Sequence, residues 1–192
     1  CTITVYDYAS SLIINELNIP LVLVGDSASM VMFGYENTTR ISVNELLFLT
    51  KAVCRGISRA LIVADLPFMS YQPSNSLAVE NAGRFIKEGK ADAVKLEGGI
   101  EYIDRVENIV KAGIPVMGHI GLKPQSVLQE SGYKIKGKTF ESAKEIYQDA
   151  IALENAGAFS IVLECVPVEL ADITTSKLKI PTIGIGAGSG CD

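Results

Sequence analysis

The run Leu61-Ile62-Val63-Ala64-Asp65 carries the pattern that decides the fold, a short apolar segment closed by an acidic side chain. No polar residue alternates within it, which is typical of a strand buried on both faces of a parallel sheet. Comparable, largely apolar runs occupy residues 3–6, 21–24, 93–96, 116–118, 160–163 and 182–185. The chain therefore contains seven candidate strands.

Helical patterns separate these runs. Ser42 and Glu45 form a capping-box signature, and residues 74–88 and 140–156 carry apolar side chains at helical spacing. Glycines at positions 89, 113 and 157 each follow a helical segment and precede a strand, as glycines that end helices do. A β/α unit thus repeats along the chain.

Such a repeat allows an open doubly wound sheet or a closed barrel. Polar residues close almost every strand, and a barrel would bring them onto one ring: Asp7, Asp26, Asp65, Glu97, His119 and Glu164. A typical barrel has about 250 residues, so 192 residues with seven strands fall short of a full barrel by about one β/α unit. We expect an α/β chain with a single catalytic domain over residues 1–192. Its fold would be a (βα)8 TIM barrel, incomplete at the C-terminus because the eighth strand is absent from this chain.

Composition excludes several function classes. The 192 residues are 48% hydrophobic, and the net charge of -5 offers no basic surface for nucleic acid. The apolar runs are far shorter than the roughly 20 residues of a membrane span. The four cysteines are scattered, with no C-x-x-C pair and one histidine in the chain, so we expect free thiols and a cytoplasmic protein.

The acids Asp26, Asp65 and Glu97 follow successive strands. Placed together they would repel one another and take up protons, unless a hard divalent cation relieved the repulsion. Magnesium is the cation that an all-oxygen site favours here, and it would act as a Lewis acid on a bound carbonyl. Alternatively, each acid caps the following helix or pairs with a nearby lysine.

Three further polar residues each allow two interpretations. Lys95, two residues before Glu97 and on the same strand face, pairs with a carboxylate in the core or with an anionic substrate. His119 donates to a substrate oxygen or relays protons, or else orders a loop. Glu164, after an apolar strand, is a general base, or else supports a ligand or caps the next helix.

Six motifs resemble the ketopantoate hydroxymethyltransferase family. They are VGDS at 24–27, VADLPFMSY at 63–71, VKLEGG at 94–99, MGHIGL at 117–122, VLECVP at 162–167 and IGIGAG at 183–188. They span nearly the whole chain in order. The resemblance implies a barrel of the phosphoenolpyruvate/pyruvate type and a homo-oligomer.

The resemblance also implies a reaction. It converts 3-methyl-2-oxobutanoate and 5,10-methylenetetrahydrofolate into ketopantoate, a pantothenate precursor, through a magnesium-stabilised enolate. Asp26, Asp65 and Glu97 match the family's magnesium positions. Asp26 and Asp65 would lie against the chelated 2-oxo acid, Ser27 and Lys95 match its contacts, and Glu164 matches the proton acceptor. We also predict catalytic roles for Lys95 and His119.

Two other functions remain open from the residues. A strand-borne lysine with a lowered pKa forms Schiff bases in some aldolases, so Lys95 is a candidate nucleophile. A non-catalytic module that binds a metal or a 2-oxo acid is the other alternative.

Overall fold

The computed structural model describes residues 1–130, 132 and 134–192. Its strands run parallel and pair in chain order, from β1 to β7. Their bounds are Thr2–Thr4 (β1), Leu21–Val24 (β2), Leu61–Asp65 (β3), Ala93–Glu97 (β4), Val116–Gly121 (β5), Ser160–Glu164 (β6) and Thr182–Ile185 (β7). The order differs from that of an open doubly wound sheet, in which the strand sequence reverses at a switch point.

The sheet curls into a nearly closed barrel. One side chain from each of the strands β2 to β6 enters a small apolar cluster inside it: Leu23, Val63, Ala93, Met117 and Val162. The first and seventh strands line one cavity of about 490 Å³, to which Thr2 and Ile183 both contribute. The described residues contain seven strands, with no ladder between β1 and β7. The parallel barrel predicted from the sequence is confirmed, with seven of its strands in the described residues.

Helices connect the strands and cover the outside of the barrel. Their bounds are Tyr8–Glu16 (α1), Ala28–Val31 (α2), Val43–Gly56 (α3), Asn75–Lys87 (α4), Ile103–Lys111 (α5), Val127–Glu130 (α6), Phe140–Asn155 (α7) and Val168–Lys177 (α8). Short 3-10 helices lie at Thr38–Arg40, Ile100–Tyr102 and Pro124–Ser126. The main apolar core fills the space between helices and sheet, with Leu46, Phe85 and Ile109 fully buried.

Local signals match the helix starts and ends. The Ser42 hydroxyl accepts the backbone N–H of Glu45, whose carboxylate accepts the backbone N–H of Ser42, so the predicted capping box is present. Gly113 and Gly157 follow α5 and α7 with φ of 87° and 94°, a left-handed backbone that glycine adopts without strain.

The first strand differs from the expected one. It covers Thr2–Thr4, whereas the apolar run at residues 3–6 predicted a longer segment. The chain turns early because Asp7 caps α1, its carboxylate accepting the backbone N–H of Ser10 at 2.9 Å. Asp7 therefore does not join the other strand-end residues. Within the described part of the chain, no helix is long and apolar enough to cross a membrane.

Candidate active site

Strand register brings the polar strand-end residues together. Asp65 at the end of β3 lies beside Lys95 in β4, and Glu97 lies beside His119 in β5. Alternation along β4 points Lys95 and Glu97 to the same face, inside the barrel. Asp26, just after β2, is also buried, with 4% of its surface exposed. We call Asp26, Asp65 and Glu97 the carboxylate cluster.

Lys95 lies within this cluster and forms an ion pair with one of its members. Its Nζ stands 3.0 Å from Asp65 Oδ1, and both side chains are about 5% exposed or less. Burial opposes the ammonium charge, but attraction by Asp65 and Glu97 outweighs it and raises the pKa of Lys95. Asp65 also accepts the backbone N–H of Asp26 at 2.9 Å. Lys95 is therefore a protonated cation that holds Asp65 in place.

One ammonium does not neutralise the carboxylates. Burial, with the nearby charge of Asp65, raises the pKa of Asp26 to about 7. Burial, with the nearby charge of Asp26, raises the pKa of Glu97 well above its ordinary value. Burial and mutual repulsion therefore disfavour the ionised forms of these two carboxyl groups. A bound cation would offset that repulsion.

His119 connects Lys95 to Glu164. The Lys95 ammonium has only N–H groups to offer, so His119 Nδ1, at 3.1 Å, must accept. The ring proton then resides on Nε2, which faces Glu164 Oε2 at 3.1 Å. Burial and the charge of Lys95 lower the pKa of His119, so the ring is neutral, with its Nε2 proton on the side of Glu164. The side chain of Glu164 is 16% exposed, the most open carboxylate of the group.

Several residues of the site were not predicted from the sequence. Gln125, in the 3-10 helix after β5, donates through Nε2 to Asp26 Oδ2 at 2.8 Å. The buried Tyr71 hydroxyl contacts both the backbone of Glu97 and the Gln125 side chain. The hydroxyl of Tyr6 lies 2.8 Å from that of Ser27, at the edge of the site. One sequence feature could have indicated Gln125 as a site residue: it lies in the loop that directly follows a strand ending in polar residues.

Comparisons with known proteins identify the family. The model of the ketopantoate hydroxymethyltransferase family matches residues 1–192. The chain belongs to this family. A 3-methyl-2-oxobutanoate hydroxymethyltransferase of Enterococcus faecalis is 55% identical over 190 residues, which cover 99% of this chain and 69% of the relative. One from Dehalococcoides mccartyi is 56% identical, covering 99% of this chain and 68% of the relative.

Family membership confirms the resemblance stated from the six motifs and the enzyme class, a hydroxymethyltransferase. A solved structure extends the fold comparison: phosphonopyruvate hydrolase in complex with oxalate and Mg²⁺ superposes with a TM-score of 0.71 at 11% identity. The match covers 95% of this chain and 65% of that one. At that identity the match shows the shared barrel fold.

The chemistry of the donors fits a magnesium ion. The carboxylate cluster offers only oxygen ligands, and burial leaves Asp26 and Glu97 with raised pKa values that a divalent cation would offset. Among the described residues, no group of three or more His, Cys, Asp or Glu side chains is arranged so that it could hold a metal ion as it stands. The fit thus rests on ligand type and on excess negative charge.

Proposed function

We propose that this protein transfers a hydroxymethyl group from 5,10-methylenetetrahydrofolate to 3-methyl-2-oxobutanoate, giving 2-dehydropantoate (ketopantoate) and tetrahydrofolate. Beyond the family, one observation carries the proposal: the partly open carboxylate of Glu164 faces His119 Nε2 at 3.1 Å. A carboxylate that lies beside a neutral imidazole and is partly open to solvent is suited to remove a proton from a bound substrate.

In this mechanism, Glu164 takes the proton from C3 of the 2-oxo acid and leaves an enolate. A new C–C bond forms between C3 and the one-carbon unit, the C–N bonds to the folate break, and water supplies the hydroxyl group. Lys95 and Ser27 bind the 2-oxo acid, and neutral His119 lies beside Glu164. Held by Asp26, Asp65 and Glu97, Mg²⁺ would supply a Lewis acid that polarises the keto group.

Hydrogen exchange at C3 tests this proposal. The full-length protein, with 3-methyl-2-oxobutanoate and Mg²⁺ in heavy water but without folate, should exchange the C3 proton, which proton NMR follows directly. Glu164→Gln removes the base and should slow exchange by about 100-fold or more. Glu169→Gln, the same change at an exposed position in the first turn of α8, should exchange at the wild-type rate. Equal rates for the Glu164 variant and the wild type would refute the assignment.

The exchange assay, together with borohydride trapping and EDTA, separates the alternatives. The raised pKa of Lys95 keeps its amine protonated, which disfavours a Schiff-base aldolase. In such an aldolase, borohydride with the 2-oxo acid would trap Lys95 and EDTA would leave exchange intact. A non-catalytic binding module would bind the 2-oxo acid in the presence of Mg²⁺ and show no exchange. Cytoplasmic location and homo-oligomer formation stay predictions.

A further inference from the structure

Gln125 occupies the centre of the site without belonging to the carboxylate cluster. It lies in the 3-10 helix Pro124–Ser126 and is 5% exposed. Its Nε2 donates to Asp26 Oδ2 at 2.8 Å and to the backbone oxygen of Leu66 at 2.9 Å. The two amide protons of Gln125 therefore go to two acceptors, one just after β2 and one just after β3.

The orientation of this amide is determined by its neighbours. Gln125 Oε1 accepts a hydrogen bond from Gln72 Nε2 at 3.0 Å, and the Tyr71 hydroxyl also lies 3.0 Å away. A flipped amide would direct its oxygen at Asp26 and at the Leu66 carbonyl, which are acceptors, and its nitrogen at the amino group of Gln72. The donor side of Gln125 must therefore face Asp26.

The backbone of the same residue holds a second carboxylate. The N–H of Gln125 donates to Glu97 Oε2 at 2.9 Å. Asp26 follows β2 and Glu97 ends β4, so one residue restrains two acids that reach the site from separate strands. In each acid, Gln125 contacts one of the two carboxylate oxygens, Oδ2 of Asp26 and Oε2 of Glu97.

We propose that Gln125 is a positioning residue that sets the orientation of Asp26 and Glu97 for a divalent cation. The inference rests on the magnesium site of the proposed function and deepens it. Removing a donor that orients a metal-ligating side chain typically lowers metal affinity by about 10-fold to 100-fold. Because the backbone N–H remains in any variant, the side chain controls the Asp26 half of this arrangement.

Metal binding in the absence of substrate tests the proposal. Mn²⁺, which prefers the same oxygen ligands as Mg²⁺, is titrated into the full-length protein and its free fraction is read by EPR. Gln125→Met keeps the length of the side chain and removes the amide, so the dissociation constant should rise about 10-fold. Gln129→Met, the same change at an exposed position in α6, should leave it unchanged.

Folding is checked on the same samples by circular dichroism. If the methionine variant does not fold, Gln125→Asn, which keeps the amide on a shorter side chain, is measured in its place with the same expectation. A purely structural role would lower the melting temperature without changing metal affinity in the folded protein. In C3 exchange, the metal concentration for half-maximal rate should rise more than the rate at saturating metal falls.

The wild-type protein supplies an independent readout. The side-chain amide protons of Gln125 should shift in NMR spectra when Mg²⁺ is added, because their acceptor Asp26 changes its charge environment. Either an unshifted amide or a folded Gln125 variant that binds Mn²⁺ within about twofold of wild type would overturn the inference. A wild-type protein that binds no Mn²⁺ would instead refute the metal site of the proposed function.

Discussion

Replacing Lys95 by methionine should destabilise the protein far more than replacing an exposed lysine. Lys95 lies 3.0 Å from Asp65, with side chains 5% and 4% exposed. Removing one partner of a buried pair leaves the other charge uncompensated and costs about 3–5 kcal/mol. Two further acids, Asp26 and Glu97, also lose the attraction of the ammonium.

Lys51 provides a matched control. Its Nζ lies 3.6 Å from Glu88, and the two side chains are 41% and 43% exposed. Exposed pairs contribute roughly 0–1 kcal/mol, so Lys51→Met should change the free energy of unfolding by no more than that. The two substitutions are chemically identical and differ in the burial of the charge that remains.

The assay is urea unfolding in EDTA, followed by far-UV circular dichroism because the chain has no tryptophan for fluorescence. At a slope of about 2 kcal/mol per molar urea, Lys95→Met should lower the midpoint by roughly 2 M. Adding Asp65→Asn to Lys95→Met should recover part of the loss, since the stranded charge is removed. Equal midpoints for the Lys51 and Lys95 variants would refute the reasoning.

Three local changes give further predictions. Ser42→Ala removes the helix cap and should cost about 1 kcal/mol in urea unfolding at pH 7. Hydrogen bonds from Ser42 lower the pKa of Glu45. Their contribution to the free energy of unfolding is therefore present above about pH 4.5 and should shrink as pH falls through the folded pKa. A loss of stability in Ser42→Ala that does not depend on pH would contradict this. Gly113→Ala should cost about 1–2 kcal/mol for its left-handed backbone, with open space around the new methyl. Gly121→Ala should lower the melting temperature further, because its Cβ would clash with the backbone oxygen of Glu164; equal melting temperatures would exclude that clash.

The candidate site was partly predictable for a clear reason. A strand with period-two alternation places its last polar side chains at one edge of a parallel sheet, so the carboxylate cluster followed from strand ends alone. Asp7 was grouped with these residues by the same rule, yet it caps α1 instead. The local hydrogen bond to Ser10 determines its position, and a rule based on strand ends does not include that competition.

By itself, the sequence determined the β/α repeat, the strand bounds to within a few residues and the acids that share one face of the sheet. These features depend on the periodicity of apolar side chains and on local caps, which act over a few neighbouring residues. Tertiary structure alone decided the pairing of Lys95 with Asp65, the neutral tautomer of His119 and the place of Gln125. Each of those depends on contacts between residues far apart in the chain, where burial and the exact partners of a hydrogen bond control charge and orientation.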